Sequence, residues 1–202
     1  MPVLKLPDKP RPTSIPIIES RIPKPDELVV LGKPLLDATI VIGKTLASCT
    51  NKWALGGDVA EVISGVNVQP DHITILTNRQ GCDEIAGKLS KYLVKPPTVI
   101  ERALERNAEV DFKSYPISIK SHASGFNIDG TSLDVHGDLQ IKIGDWDWGD
   151  PLEFDPDYVY VVGVKMPVVP LKMKSELYTG LGWTDRATKI HEAIMRSRHM
   201  FG

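Results

Sequence analysis

Asp134, His136 and Asp138 alternate along Leu133-Asp-Val-His-Gly-Asp138, and in an extended chain alternate residues share a face. Two carboxylates and an imidazole so placed can share a metal ion or pass a proton. The same pattern also describes the solvated outer face of a hairpin. Further upstream, Gly56-Gly57 separates a short apolar run from a helix-like run that begins with Asp58. Lacking Cβ atoms, the pair can turn sharply and let the backbone approach a ligand. A helix N-terminus after it offers unpaired N–H groups, which suit a phosphate. A plain strand-to-helix turn has the same spacing, and Asp58 then reads as an acid complementing the helix dipole. Trp146 and Trp148, in the acidic run Asp145 to Asp150, can stack a base or plug a hairpin.

The elements that must position these residues are legible in outline. Lys52 to Glu61 reads as strand, turn and helix, and Pro70-Asp71 is a turn before a second strand. There Ile73 and Ile75 alternate with His72 and Thr74, so His72 and Thr74 face away from the core and Asp71 points to the other side. Before the glycines, Pro34 opens a helix to about Ser48 with Leu36, Ile40 and Ala47, beside Leu35 and Ile42, on its apolar face. Gly81 to Leu93 is helical by its spacing of Ile85, Leu89 and Leu93, and Thr98 with Glu101 predicts a capped short helix to about Arg106.

From Val110 the period becomes two. Tyr115 to Ser121 and Ser132 to Ile143 form a hairpin about Asp129-Gly130, with Leu133, Val135, Leu139, Ile141 and Ile143 expected on one face. Tyr158 to Val164 reads as a buried strand, continued by Met166 to Pro170 as an edge. Two closing helices, Leu171 to Leu181 and Asp185 to about Met200, are separated by Gly182, with Thr184 as cap. The sum is an α/β, or α+β, mixed sheet flanked by helices.

Trp53 to about Leu93, Ser132 to Lys142 and Val164 to Ile190 together resemble the nucleotidyltransferase superfamily in its minimal form. In that family a Gly-Gly or Gly-Ser turn precedes a strand bearing two alternating carboxylates, and a later strand supplies a third. The three hold divalent metal and nucleoside triphosphate. The resemblance places His72 and Thr74 at the first two positions and Asp134 at the third, so the frame is kept and the metal pair is replaced. It implies Asp134 as catalytic residue and metal ligand, with Gly56 and Gly57 at the phosphates. Imidazole is a poor substitute for the hard oxygen that magnesium wants, yet suits a transition metal, which would bring His72 and His136 to Asp134 as ligands. From the likeness of the closing helices, Lys172, Lys174, Arg186 and Lys189 become phosphate contacts. Trp183 stands where that family often has a basic residue.

Residues 1–27 hold seven of the 16 prolines and are expected to form an extended arm, with Ile15, Ile17 and Ile18 packing on the body or on a second subunit. Residues 28–202 are then the nucleotidyltransferase-like domain. A net charge of -2 gives no overall attraction to nucleic acid. Cys49 and Cys82 have no framework spacing, and no apolar run is long enough to span a membrane, which places the chain in the cytoplasm. Three functions follow. The first is a degenerate relative that binds a nucleoside triphosphate or a protein partner, with weak or no transfer. The second is active nucleotidyl transfer to an acceptor. The third is a transition-metal hydrolase using His72, Asp134 and His136.

Overall fold

The computed structural model describes residues 31–200; the proline-rich arm lies outside them. The elements run α1 (Lys33–Leu46), β1 (Trp53–Gly56), α2 (Gly57–Ile63), β2 (Ile73–Thr77), α3 (Arg79–Lys88), β3 (Leu93–Ala103), β4 (Ala108–Val110), β5 (Lys113–Tyr115), β6 (Ile117–Ile128), β7 (Thr131–Ile143), β8 (Asp157–Val161), β9 (Val164–Val168), α4 (Leu171–Gly180) and α5 (Thr184–Met200). Seven strands form one mixed sheet in the order β3-β6-β7-β2-β1-β9-β8, and β4 with β5 makes a separate hairpin. The expected α/β class therefore holds: a mixed sheet flanked by five helices. No described helix is long and apolar enough to cross a membrane.

Helix α1 takes Pro34 in its first turn and buries Ala38, Ile42 and Leu46 at four-residue spacing. It crosses the sheet to β9, where Gly43 meets Met166 and Val164. Helix α3 begins two residues earlier than expected, at Arg79, because the Asn78 side chain accepts a hydrogen bond from the Gly81 amide at 2.6 Å. It covers β6 and β7, joining Cys82 to Ser124 and Asp83 to His122. Glu84 on its outer side accepts the Thr50 and Asn51 amides, and those donors hold its carboxyl down at about 2.

Several expectations fail for nameable reasons. Thr98 and Glu101 lie in β3, because Thr98 to Ala103 pairs with Ser118 to Ala123 and a sheet ladder outweighs a helix cap. The prolines at 96 and 97 sit at a register irregularity of this edge strand, where no ladder donor is needed. Helix α3 stops at Lys88, and residues 90–92 form a short 3-10 turn into β3. Towards the C-terminus, β8 is the edge and β9 the inner strand, the reverse of the expected pair. Their hairpin turns through Val162 and Gly163 at φ 48° and 78°. Pro167 is tolerated inside the sheet because β9 meets β1 through one register pair, Leu55 with Val168.

The largest departure lies in β7. Its register against β6 slips by one residue, from Lys120 opposite Gln140 to His122 opposite Gly137, and Asp138 takes φ 50°. This bulge exchanges the faces. Leu133 and Val135 join the main core, whereas Ile141 and Ile143 pack in a second cluster with Ala108, Ile117 and Leu181. The strict alternation read from the sequence ends at Gly137.

Candidate functional site

Strand β1 is buried throughout and runs into Gly57, which opens α2 at φ +53°. This conformation strains an L-residue, and a Cβ there would stand 3.0 Å from Thr74 Oγ1. The Gly57 backbone thus lies directly over Thr74. Parallel pairing of β2 with β7 sets Thr74 beside Asp134. Ile73, Ile75, Leu133 and Val135 point into the core on the other side, so Thr74 and Asp134 share the outer face, both half-buried. Gly57, Thr74 and Asp134 form one short row across three successive elements.

His72 stands just before β2, exposed, with its Nδ1 2.5 Å from Asp71 Oδ1. Asp71 was expected to point away from it; the segment is not yet strand there, and the hydrogen bond to His72 depresses the Asp71 carboxyl. Two residues past Asp134, His136 is buried and its Nδ1 lies 2.9 Å from Ser121 Oγ on β6. Burial lowers its pKa, Asp134 pulls the other way, and Arg102 and His72 add to the lowering. The electrostatic neighbours of His136 are thus Asp134, His72 and Arg102. Neither Arg102 nor Ser121 stands out in the sequence, since both reach the site through pairing of β3 and β7 with β6.

A folded-state pKa below the unfolded value means that His136 adds stability above about pH 6.5, lost as pH falls because only the unfolded chain binds the proton readily. His136→Asn is expected to flatten the decline in melting temperature on acidification below about pH 6.5. An unchanged slope in a thermal melt series would place the titrating group elsewhere.

The basic residues divide. Lys172 and Lys189 are exposed. Lys174 and Arg186 are occupied by Glu61 of α2, which has no solvent exposure. Lys174 Nζ lies 2.7 Å from Glu61 Oε1 and donates to the Gly57 carbonyl at 2.6 Å. Arg186 Nε donates to Glu61 Oε2 at 2.9 Å, its Nη2 reaches Asp58, and Tyr178 donates to Glu61 Oε1 at 2.9 Å. Burial drives the Lys174 ammonium down and the Tyr178 phenol up, while Glu61 opposes the fall at Lys174. Asp58 therefore serves an arginine from α5. The network clamps the glycine turn to the closing helices. Its sequence signal was Glu61 itself, a lone acid amid Val59, Ala60, Val62 and Ile63.

The tryptophans lie elsewhere. Trp146 packs on Tyr115 with ring centres 6.1 Å apart, and Trp148 stands about 6 Å from the Lys120 and Lys142 ammoniums. Trp183 donates to the Asn107 carbonyl at 2.7 Å and lies under Arg106, a structural joint between α5 and the strand hairpin.

A divalent metal is what the resemblance implies. Among the described residues no three His, Cys, Asp or Glu side chains are grouped to hold one. At the row itself the donors are one carboxylate and one threonine hydroxyl. Such a set does not fit magnesium with a triphosphate, which needs several hard anionic oxygens.

No family model matches the chain, and no curated protein matches it significantly. Among solved structures it is similar to a candidate nucleotidyltransferase from Thermotoga maritima, with 24% identity and a TM-score of 0.57 over 80% of this chain and 92% of that one. More distant are an antigenic nucleotidyltransferase-like protein from Paracoccidioides brasiliensis (12% identity, TM-score 0.40, over 80% of this chain and 74% of that one) and the antibiotic-resistance factor ANT(2'')-Ia (13%, 0.37, 82% and 92%). The Thermotoga maritima likeness, over 80% of this chain, assigns the fold: the chain has a nucleotidyltransferase-like fold.

Proposed function

We propose that this protein holds a nucleoside triphosphate on the Gly57–Thr74–Asp134 face and transfers its nucleotidyl group weakly or not at all. The observation that carries the reading is the register of Thr74 beside Asp134: one carboxylate, where the family that the sequence resembles carries three. Gly56 and Gly57 carry no side chains, so a phosphate chain can lie close to the backbone that covers Thr74. Arg102, an electrostatic neighbour of His136, and the exposed Lys172 and Lys189 of α4 and α5 are the cations available to meet its charge. Lys174 acts on the ligand only indirectly, by fixing the Gly57 carbonyl. His136, kept neutral by its surroundings, serves as a hydrogen-bonding group rather than a charge.

The test is calorimetric titration of the four common nucleoside triphosphates with magnesium, manganese or zinc, beside an assay of pyrophosphate release. Binding without pyrophosphate is the expected result. Steady release that disappears in Asp134→Ala would overturn the reading in favour of an active transferase. Release with zinc or manganese alone, lost in His72→Ala, would favour a metal site of His72, Asp134 and His136. No nucleotide binding at all would leave a protein partner, or a second copy met through the arm. Restoring the acids in a His72→Asp, Thr74→Asp double variant is expected to tighten magnesium-dependent triphosphate binding at least about tenfold, because paired carboxylates offset the dication.

A further inference from the structure

Ser121 and His136 form a buried polar pair on the sheet face that carries Thr74 and Asp134. His136 stands two residues beyond Asp134 on β7, about 7 Å further along the strand and on the same face. It is 6% exposed, and Ser121 is 3% exposed. Ser121 Oγ and His136 Nδ1 lie 2.9 Å apart, and neither atom has a second partner among the described residues. The chemistry of the two groups fixes the direction of this hydrogen bond. A serine hydroxyl has one hydrogen to donate, and with water kept away the acceptor in reach is Nδ1. Were Nδ1 protonated instead, the hydroxyl hydrogen would be buried without a partner, which costs far more than an unused oxygen lone pair. Nδ1 therefore accepts, and in a neutral ring the proton resides on Nε2. Burial, which lowers the His136 pKa, keeps the ring neutral.

Nε2 is the atom left over. It has no hydrogen-bond partner among the described residues. The one buried side-chain nitrogen or oxygen without a partner there is His122 Nδ1, so His136 Nε2 is open to solvent. An imidazole that is otherwise buried thus presents a single N–H on the face beside Asp134. With its lone pair occupied by hydrogen, this nitrogen can neither take a proton from a substrate nor ligate a metal. It can donate to an oxygen. The Asp134 carboxylate disfavours an anion at this point, whereas the charge of Arg102, which also reaches His136, offsets it.

We infer that Ser121 holds His136 as the neutral Nε2–H tautomer and that this N–H donates to a phosphoryl oxygen of the bound ligand. The ligand rests on the triphosphate reading given above; the tautomer does not. The test is a long-range proton–nitrogen NMR correlation on the full chain, isotope-labelled in its histidine nitrogens, at about pH 8, above the ordinary histidine pKa. Signals that vanish in His136→Gln belong to His136. Hydrogen on Nε2 and none on Nδ1 is the expected pattern. Ser121→Ala removes only the hydroxyl and should give a mixture of both tautomers, with a melting temperature near that of wild type. Hydrogen on Nδ1 in the wild type, or an unchanged pattern in Ser121→Ala, overturns the proposal. Zinc ions that displace the Nε2 hydrogen also overturn it, by making His136 a ligand. Inorganic triphosphate and ATP, each added with magnesium, should shift the Nε2–H signal. His136→Leu should bind them about tenfold more weakly, the factor for one hydrogen bond to a charged group. His136→Gln, whose amide donates from nearly the same place, should stay within about threefold of wild type. Binding seen by calorimetry with an unmoved Nε2–H signal, or undiminished in His136→Leu, refutes the donation. No binding of either compound to the wild type removes the triphosphate reading and the donation together, and the free protein still decides the tautomer.

Discussion

Replacing Glu61 by alanine is expected to cost about 3–5 kcal/mol of folding stability, because it strands the buried Lys174 ammonium and leaves Arg186 with Asp58 alone. Lys174 keeps only 7% side-chain exposure and Arg186 19%, and both are directed at the Glu61 carboxylate. An isolated surface pair is worth about 0–1 kcal/mol, since water takes over when a partner leaves. Water cannot do so here. For a domain of this size the loss corresponds to a fall in melting temperature of roughly 10 °C. Glu61→Gln keeps the shape and removes the charge, and should fall between wild type and alanine. Combining it with Lys174→Met removes one stranded cation and should recover part of the loss, the signature of coupled sites. A loss below about 1 kcal/mol in a urea melt of Glu61→Ala would show the network to be solvated like a surface pair.

Gly182→Ala is expected to cost about 2–4 kcal/mol, from left-handed backbone and overpacking together. The residue takes φ +71°, and a Cβ would stand 2.0 Å from the Glu109 carbonyl oxygen and 2.8 Å from its carbon. Backbone cannot swing aside as a lysine would. Relief requires α4 and α5 to draw back from β4, which loosens the Glu109 amide from the Leu181 carbonyl and the Trp183 indole from the Asn107 carbonyl. Gly65 is the comparison: its φ is +87° with nothing within 4 Å of a built Cβ. Gly65→Ala should cost only the backbone strain, about 1–2 kcal/mol. Equal losses in the two variants, measured by chemical denaturation, would remove the close approach from the account.

These effects mark what local sequence could and could not say. The β1–glycine–α2–β2 unit was legible because each boundary carries its own chemistry: a Gly-Gly pair, a Pro-Asp turn, isoleucines at alternate positions. Asp134 was placed by a family resemblance; its position beside Thr74 depends on parallel pairing between strands more than fifty residues apart in the sequence, which neither strand encodes alone. The β7 bulge left no local mark except Gly137, so Ile141 and Ile143 were assigned to the wrong cluster. Lys174 and Arg186 looked like free surface cations because the acid that holds them sits on another helix. Long-range pairing and buried charge are collective properties, and single-sequence periodicity does not report them.

The order of strands also has a temporal consequence. β1 is among the first described strands of the chain, yet its flank is closed by β9, through Leu55 with Val168. Until the C-terminal third has been synthesised, the nascent protein exposes an apolar strand with an unpaired edge and cannot complete its sheet. Closing so long a loop is slow, and an open edge invites pairing with other chains. The period of greatest vulnerability for this protein is thus the interval on the ribosome between the emergence of Leu55 and that of Val168.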